Sequence, residues 1–322
     1  MSESDVREPK VLVPFPGPAP CGKSQDLFVY LRPETNGIVV ESTLLKVLRR
    51  PEYKESVKMV YLANIPGDFI IENNIVEEHY SLRLYFAVHG KKAFTTAMRE
   101  RFQRFFGEDF GKAPIYGAFE ALRVLKISPE ELFSFWVPVY DIIDINGQLV
   151  KKLDSGCFVV NYDIPALLHK NNNSTDIAVM MLRTGLDYES FLPIIGAMKN
   201  ALIDEGILDP QKPAARVFHY SKGPFEQILD GIGYLYDSDN NHADLEQLQF
   251  FCYLKRQGYS KQEVLNALKH PIMLFQPEEG ECFEENLFTY TQEDTYEYAC
   301  SKLQKVIAQS ILSLHETTDR ST

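Results

Sequence analysis

Between Cys157 and Ile228, three short apolar runs follow one another, each closed by polar turn residues and followed by a helical pattern. They are CFVVNY before Asp163-Ile164-Pro165, DIAVMMLRT before Gly185, and ARVFHY before Ser221-Lys222-Gly223-Pro224. Continuous apolar runs of this length suit strands covered on both faces. The stretch therefore predicts strands at 157–162, 176–183 and 214–220, as in a parallel sheet. Ligands of such sheets sit outside the carboxyl ends of the strands. Asp163, Arg183, His219, Ser221 and Lys222 occupy those ends and are the candidate ligand-binding residues, on the condition that their strands are adjacent and parallel. The third turn is the first choice. Gly223 and Pro224 start a helix there, and Glu226 reaches back as half a capping box. Ser221 and Lys222 then lie beside helix-start N–H groups, a fit place for phosphate or carboxylate. The plainer alternative is that Ser221 caps the helix and Lys222 faces water.

Around this centre the sequence predicts an α/β or α+β fold, a mixed sheet with flanking helices and a helical C-terminal portion. Four parts are expected: a flexible Pro-rich arm at 1–26, a mixed part at 27–135, the α/β centre at 136–240, and helices with a tail at 241–322. LFVYL, VKMVYLANI and the partly alternating EHYSLRLYFAV read as strands. Ser128-Pro129-Glu130-Glu131 is a capping box with proline at the first helical position. Asn146-Gly147 between two apolar runs predicts a hairpin. Ser190 is expected to cap a helix with Pro193 in its first turn. A last helix is expected over Tyr296 to His315, with Val306, Ile307, Ser310 and Leu314 on one face.

Phe94, Met98, Phe102 and Phe105 recur at helical spacing, and Gly107 supplies the stop. The outer faces of that helix carry Arg99, Arg101 and Arg104, with Lys91 and Lys92 at its start. This is the densest basic cluster of a chain with formal charge −12, and it is a candidate patch for an anionic partner. The alternative is a solvated helix face. The overall charge makes nucleic acid an unexpected partner.

Gly17 to Ser24 matches the P-loop pattern. Pro18 and Pro20 remove backbone donors that a phosphate cradle needs, so the match is expected to be inert. Asp237, Asp239 and Asn241 have calcium-loop spacing without the required glycine and glutamate, and no two of the seven histidines have zinc-helix spacing. No metal and no cofactor is expected. The five cysteines are dispersed, no apolar run is long enough to span a bilayer, and MSESDVREPK lacks a signal-peptide core. A cytoplasmic location follows as an expectation.

LKRQGYSKQEVLNALK, from Leu254 to Lys269, resembles part of the small three-helix ubiquitin-associated-type modules. That resemblance covers one helical hairpin and implies protein binding. The favoured function is a soluble binding or regulatory protein acting through protein–protein contacts of its helical C-terminal part and basic helix. The rival is an enzyme acting on a phosphorylated or carboxylated small molecule at the central strand ends.

Overall fold

Two apolar runs far apart in sequence pair at the middle of the largest sheet. In the computed structural model, which describes residues 6–19, 24–32, 35, 37–170, 174–211 and 217–311, QDLFVYL forms β2 (Gln25–Leu31) and IAVMMLRT forms β8 (Ile177–Thr184). With β1 (Lys10–Val13), β3 (Val57–Ile65) and β9 (Phe218–Tyr220) they make a sheet of order β1-β3-β8-β2-β9. Every neighbouring pair is antiparallel. This corrects the expected parallel sheet: β8 and β9 run the same way, but β2 lies between them. The run at 157–162 contributes β7 (Phe158–Val160) to another sheet. Nothing in the apolar runs themselves encodes which strand lies beside which.

Alternation along β2 splits its side chains between two layers. Leu27, Val29 and Leu31, with Ala178, Met180 and Leu182, face α1 (Ile38–Leu48) and α9 (Tyr188–Asp204). On the other face lie α10 (Pro224–Tyr234) and α11 (Gln249–Arg256), which pack on β2. Helix α9 starts earlier than expected, because Asp187 is its cap, with Oδ1 accepting from Ser190 N. Pro193 therefore sits inside the helix rather than in its first turn.

The chain divides into two compact units, and the expected consecutive parts are interleaved in them. The first comprises Met1–His79, Asn171–Leu265 and Thr291–Ser301; the second comprises Tyr80–Lys170, Asn266–Tyr290 and Lys302–Thr322. The first unit also holds α2 (Gly67–Glu72) and α3 (Ile75–His79). Helices α12 (Lys261–Lys269) and α14 (Tyr296–Leu303) straddle the divisions. The helical hairpin expected around Gly258 is present as α11 and α12, and Ser260 forms the expected reciprocal bonds with Glu263.

In the second unit, β4 (Ile115–Gly117), β5 (Ile142–Ile145) and β6 (Gln148–Lys152) join β7 in the order β4-β7-β6-β5. The β5–β6 hairpin turns at Asn146-Gly147, both at positive φ as that turn requires. Helices α4 (Ser81–His89), α5 (Thr96–Phe106), α6 (Ala118–Leu125), α7 (Pro129–Ser134) and α8 (Ile164–His169) flank it. Helix α4 replaces the strand expected from EHYSLRLYFAV. Its Leu82, Tyr85 and Phe86 join one apolar cluster, while Leu84 and Ala87 join another. Burial on two sides hides the helical period.

A further antiparallel sheet, β11-β10-β12, is formed by β10 (Ile272–Phe275), β11 (Phe283–Asn286) and β12 (Val306–Gln309), with α13 (Leu287–Tyr290) after β11. The expected last helix thus ends at Leu303, and β-branched Val306 and Ile307 pair as strand; Leu314 and His315 lie outside the described residues. The architecture is α+β, with mixed and antiparallel sheets flanked by helices and with helices in the C-terminal portion.

Candidate functional site

Gly223 and Pro224 begin α10 as the sequence predicts, but the Ser221 hydroxyl and the Lys222 amide are both bonded within the protein. Ser221 is fully buried; its Oγ accepts from Phe28 N at 3.0 Å and donates to Asp230 Oδ2 at 2.5 Å. Lys222 N donates to Glu226 Oε2 at 2.5 Å, Lys222 O accepts from Glu293 N at 2.7 Å, and the Lys222 side chain is exposed. His219 Nε2 lies 3.4 Å from Glu226 Oε1. The carboxylate of Glu226 therefore takes the N–H beside which the sequence predicts an external anion.

Behind this turn the cluster continues into the first unit's interior. Tyr30 stacks on His219 with ring centroids 4.6 Å apart and meets Tyr234 at 4.7 Å. His79 Nε2 lies 3.7 Å from Asp230 Oδ1. Burial, helped by the neighbouring His219, pushes His79 down to about 3, so it is neutral at ordinary pH. Burial also lowers His219, against the opposing bond to Glu226. Burial and the charge of Glu226 hold Asp230 well above the usual carboxylate range. Burial acts on Glu226 in the same sense, but the His219 contact and the Lys222 amide outweigh it and lower its pKa. The pKa values of two nearby carboxyl groups are thus driven apart, Glu226 downward and Asp230 upward.

Arg183 is committed elsewhere in the same unit. Its Nε and Nη2 bond Asp26 Oδ1 and Oδ2 at 2.7 and 2.9 Å, and Nη2 also donates to Gly17 O at 2.8 Å. Burial raises the pKa of Asp26, and Arg183 opposes it. The neighbouring buried chain Tyr188–Gln227–Tyr296–Asp26 N closes through bonds of 3.0, 2.9 and 3.3 Å. Of the P-loop match, Gly17 and Ala19 serve as partners of Arg183 and Gln249, while Lys23 lies outside the described residues. The calcium-like loop is an Asx turn, with Asp237 Oδ1 accepting from Asp239 N and Asn241 N.

Asp163 belongs to the second unit, so Arg183, His219, Ser221 and Lys222 share a unit that it does not. It caps no helix by its side chain; both carboxylate oxygens accept from Arg83 Nη2, at 2.7 and 3.0 Å. The basic cluster is divided by its partners. Lys91 Nζ donates to Gly111 O and Ala113 O, Arg99 Nε to Phe94 O, and Arg101 Nη1 to Asn146 Oδ1 and Glu285 Oε2. Lys92 and Arg104 are exposed.

The most exposed apolar segment of the second unit is FWVPVY, between α7 and β5. Phe135, Trp136, Val139 and Tyr140 are 46, 80, 86 and 70% exposed, while Val137 within the segment is buried. Its pose is tied at several points. Phe135 N donates to Glu131 O, Phe135 O accepts from Lys151 Nζ at 2.7 Å, and Asp141 N donates to Pro138 O. From sequence, VPVYDIIDI reads as the first strand of the Asn146-Gly147 hairpin, but the strand begins only at Ile142. Pro138 and the aromatic residues just after a helix stop are the signal that separates the two.

Among the described residues, no group of three or more His, Cys, Asp or Glu is placed to hold a metal ion, and no helix is long and apolar enough to cross a membrane. No protein-family model, curated protein or solved structure matches the chain.

Proposed function

We propose that this chain is a soluble cytoplasmic binding or regulatory protein whose contact surface is the segment Phe135 to Tyr140. The observation that carries the reading is the high exposure of Trp136, Val139 and Tyr140 on a backbone held by named hydrogen bonds. Water-exposed aromatic side chains on a fixed backbone bring large apolar area to an interface at small entropy cost. Side chains this exposed project outward rather than line a groove. The partner is therefore a folded protein that supplies an apolar cleft. The four described cysteines are free thiols, which fits a reducing compartment.

Trp136 is the single tryptophan of the chain, so its emission reports on the segment directly. A Trp136→Ala/Tyr140→Ala variant is expected to melt like the wild type, because the removed groups make little contact with the fold. It is expected to lose a stoichiometric partner that the wild type retains, and that partner should shift Trp136 emission to the blue. Recovery of the same proteins by both forms defeats the reading. A blue shift with lipid vesicles and with no protein would replace it by membrane docking.

The rival reading, an enzyme for an anionic small molecule, is favoured by the exposed ammonium of Lys222 beside the start of α10. Glu226 counts against it, since an entering anion must displace a carboxylate from the Lys222 amide. A thermal shift with inorganic phosphate that vanishes in Lys222→Ala would favour this reading.

A further inference from the structure

Lys151 is an unusual residue to find beneath an exposed segment. It sits on β6 between Ile142 of β5 and Val159 of β7 and is only 2% exposed. Its Nζ donates to Phe135 O at 2.7 Å and lies 3.6 Å from the centroid of the Tyr162 ring. A cation so close to a ring face gains from the ring's negative quadrupole. An ionised donor also makes a markedly stronger hydrogen bond than a neutral one.

We propose that Lys151 is the positioning residue of the Phe135–Tyr140 segment: its ammonium, held between the Phe135 carbonyl and the Tyr162 ring, keeps the segment in its displayed pose, and loss of the proton loosens it. The charged groups around it are few. Asp163 favours the ammonium and is itself bonded to Arg83. Burial, and then Asp163, raises the Tyr162 pKa, so that ring stays neutral while the lysine titrates. Burial outweighs Asp163 and pushes Lys151 down to about 8. The proton is therefore lost within a mildly alkaline range. A neutral amine still reaches Phe135 O, but without its attraction to the ring and with a weaker bond.

The importance of this hold for binding rests on the partner reading, whereas the hold itself is measured without any partner, so the two fail separately. The measurement is steady-state anisotropy and acrylamide quenching of Trp136 in the full chain across pH 6.5 to 9.5, roughly the interval around the lysine's lowered pKa. The wild type should lose anisotropy and gain quenching with a midpoint near pH 8. Lys151→Met should show the loosened values throughout, and Lys151→Arg, a cation over the whole range, the tight values throughout. Tyr162→Leu keeps the lysine and removes the ring, so its midpoint should fall below that of the wild type; it serves if Lys151→Met fails to fold. A flat wild-type profile overturns the proposal. So does a folded Lys151→Met that retains the wild-type anisotropy and its pH response, or a Tyr162→Leu midpoint that does not move.

Discussion

Asp230 has its carboxyl group closed off from solvent, one oxygen on the Ser221 hydroxyl and the other facing His79. Burial, followed by the charge of Glu226, raises its pKa well above the usual carboxylate value. The folded chain therefore holds a proton there that the unfolded chain releases above pH about 4. Stability from this group is complete below that pH and is lost as pH rises toward the folded pKa. Asp230→Asn keeps the shape and an acceptor for Ser221 without the ionisable proton. The variant should melt higher than the wild type at pH 7, and the gap should close as pH falls toward 4; thermal melts at several pH values measure it. A gap of constant size would mean that the carboxyl titrates normally. The constituents of this cluster were partly legible in the sequence, since His219 and Ser221 stand at a strand end before a helix start. Their partners were not. Tyr30, His79 and Asp230 reach the cluster from β2, α3 and α10, and no spacing rule links residues that meet only through sheet order. The same holds for Asn161, whose side chain bonds Leu149 N, Arg83 O and Gln148 Oε1.

At the scale of single elements, local structure is legible in the sequence wherever a cap or turn residue fixes the backbone. The Ser128 box, the Gly107 stop, the Asn146-Gly147 turn and the Gly223-Pro224 start all stand as the sequence predicts. Helix α5 buries Met98 and Phe102, but Phe105 remains 44% exposed and Phe106 packs against Phe102 instead. What spacing cannot show is how closely two backbones approach. Gly117 at the start of α6 is a case: a Cβ there would collide with the backbone carbonyl of Ala87 on α4. Gly196 inside α9 has open space around its Cβ position. The two glycines should respond to alanine with opposite signs. Gly117→Ala should destabilise by about 1–3 kcal/mol or more, because backbone has to move. Gly196→Ala should stabilise by up to about 1 kcal/mol through helix propensity. Urea denaturation of both variants tests the pair, and a loss of stability at both positions would show that the α9 site is tighter than its geometry.

For the whole molecule, the sequence predicts consecutive parts, whereas the two compact units are each assembled from separate stretches of chain. A cut at 135/136 separates β2 and β3 from β8, although these three are sheet neighbours. Apolar runs declare that strands exist; their pairing is decided by long-range burial that leaves no local mark. The first residues show this most plainly. Their proline content predicts a flexible arm at 1–26, yet Lys10–Val13 pairs antiparallel with β3 and closes one edge of the five-stranded sheet. Arg7 adds ion pairs to Asp68 and Asp176 at 2.8 and 3.0 Å, but these are exposed and contribute little. The strand is the larger element, because without it the nine-residue β3, VKMVYLANI, becomes an edge with a single lysine to guard it. Long apolar edges offer unpaired N–H and C=O groups to other chains. Deleting residues 1–15 should therefore lower the melting temperature and produce association that grows with protein concentration. Arg7→Ala alone should change neither. Calorimetry and analytical ultracentrifugation read the two effects. A truncated chain that stays monomeric and melts with the wild type would mean that β1 covers an edge already protected by its own twist and side chains.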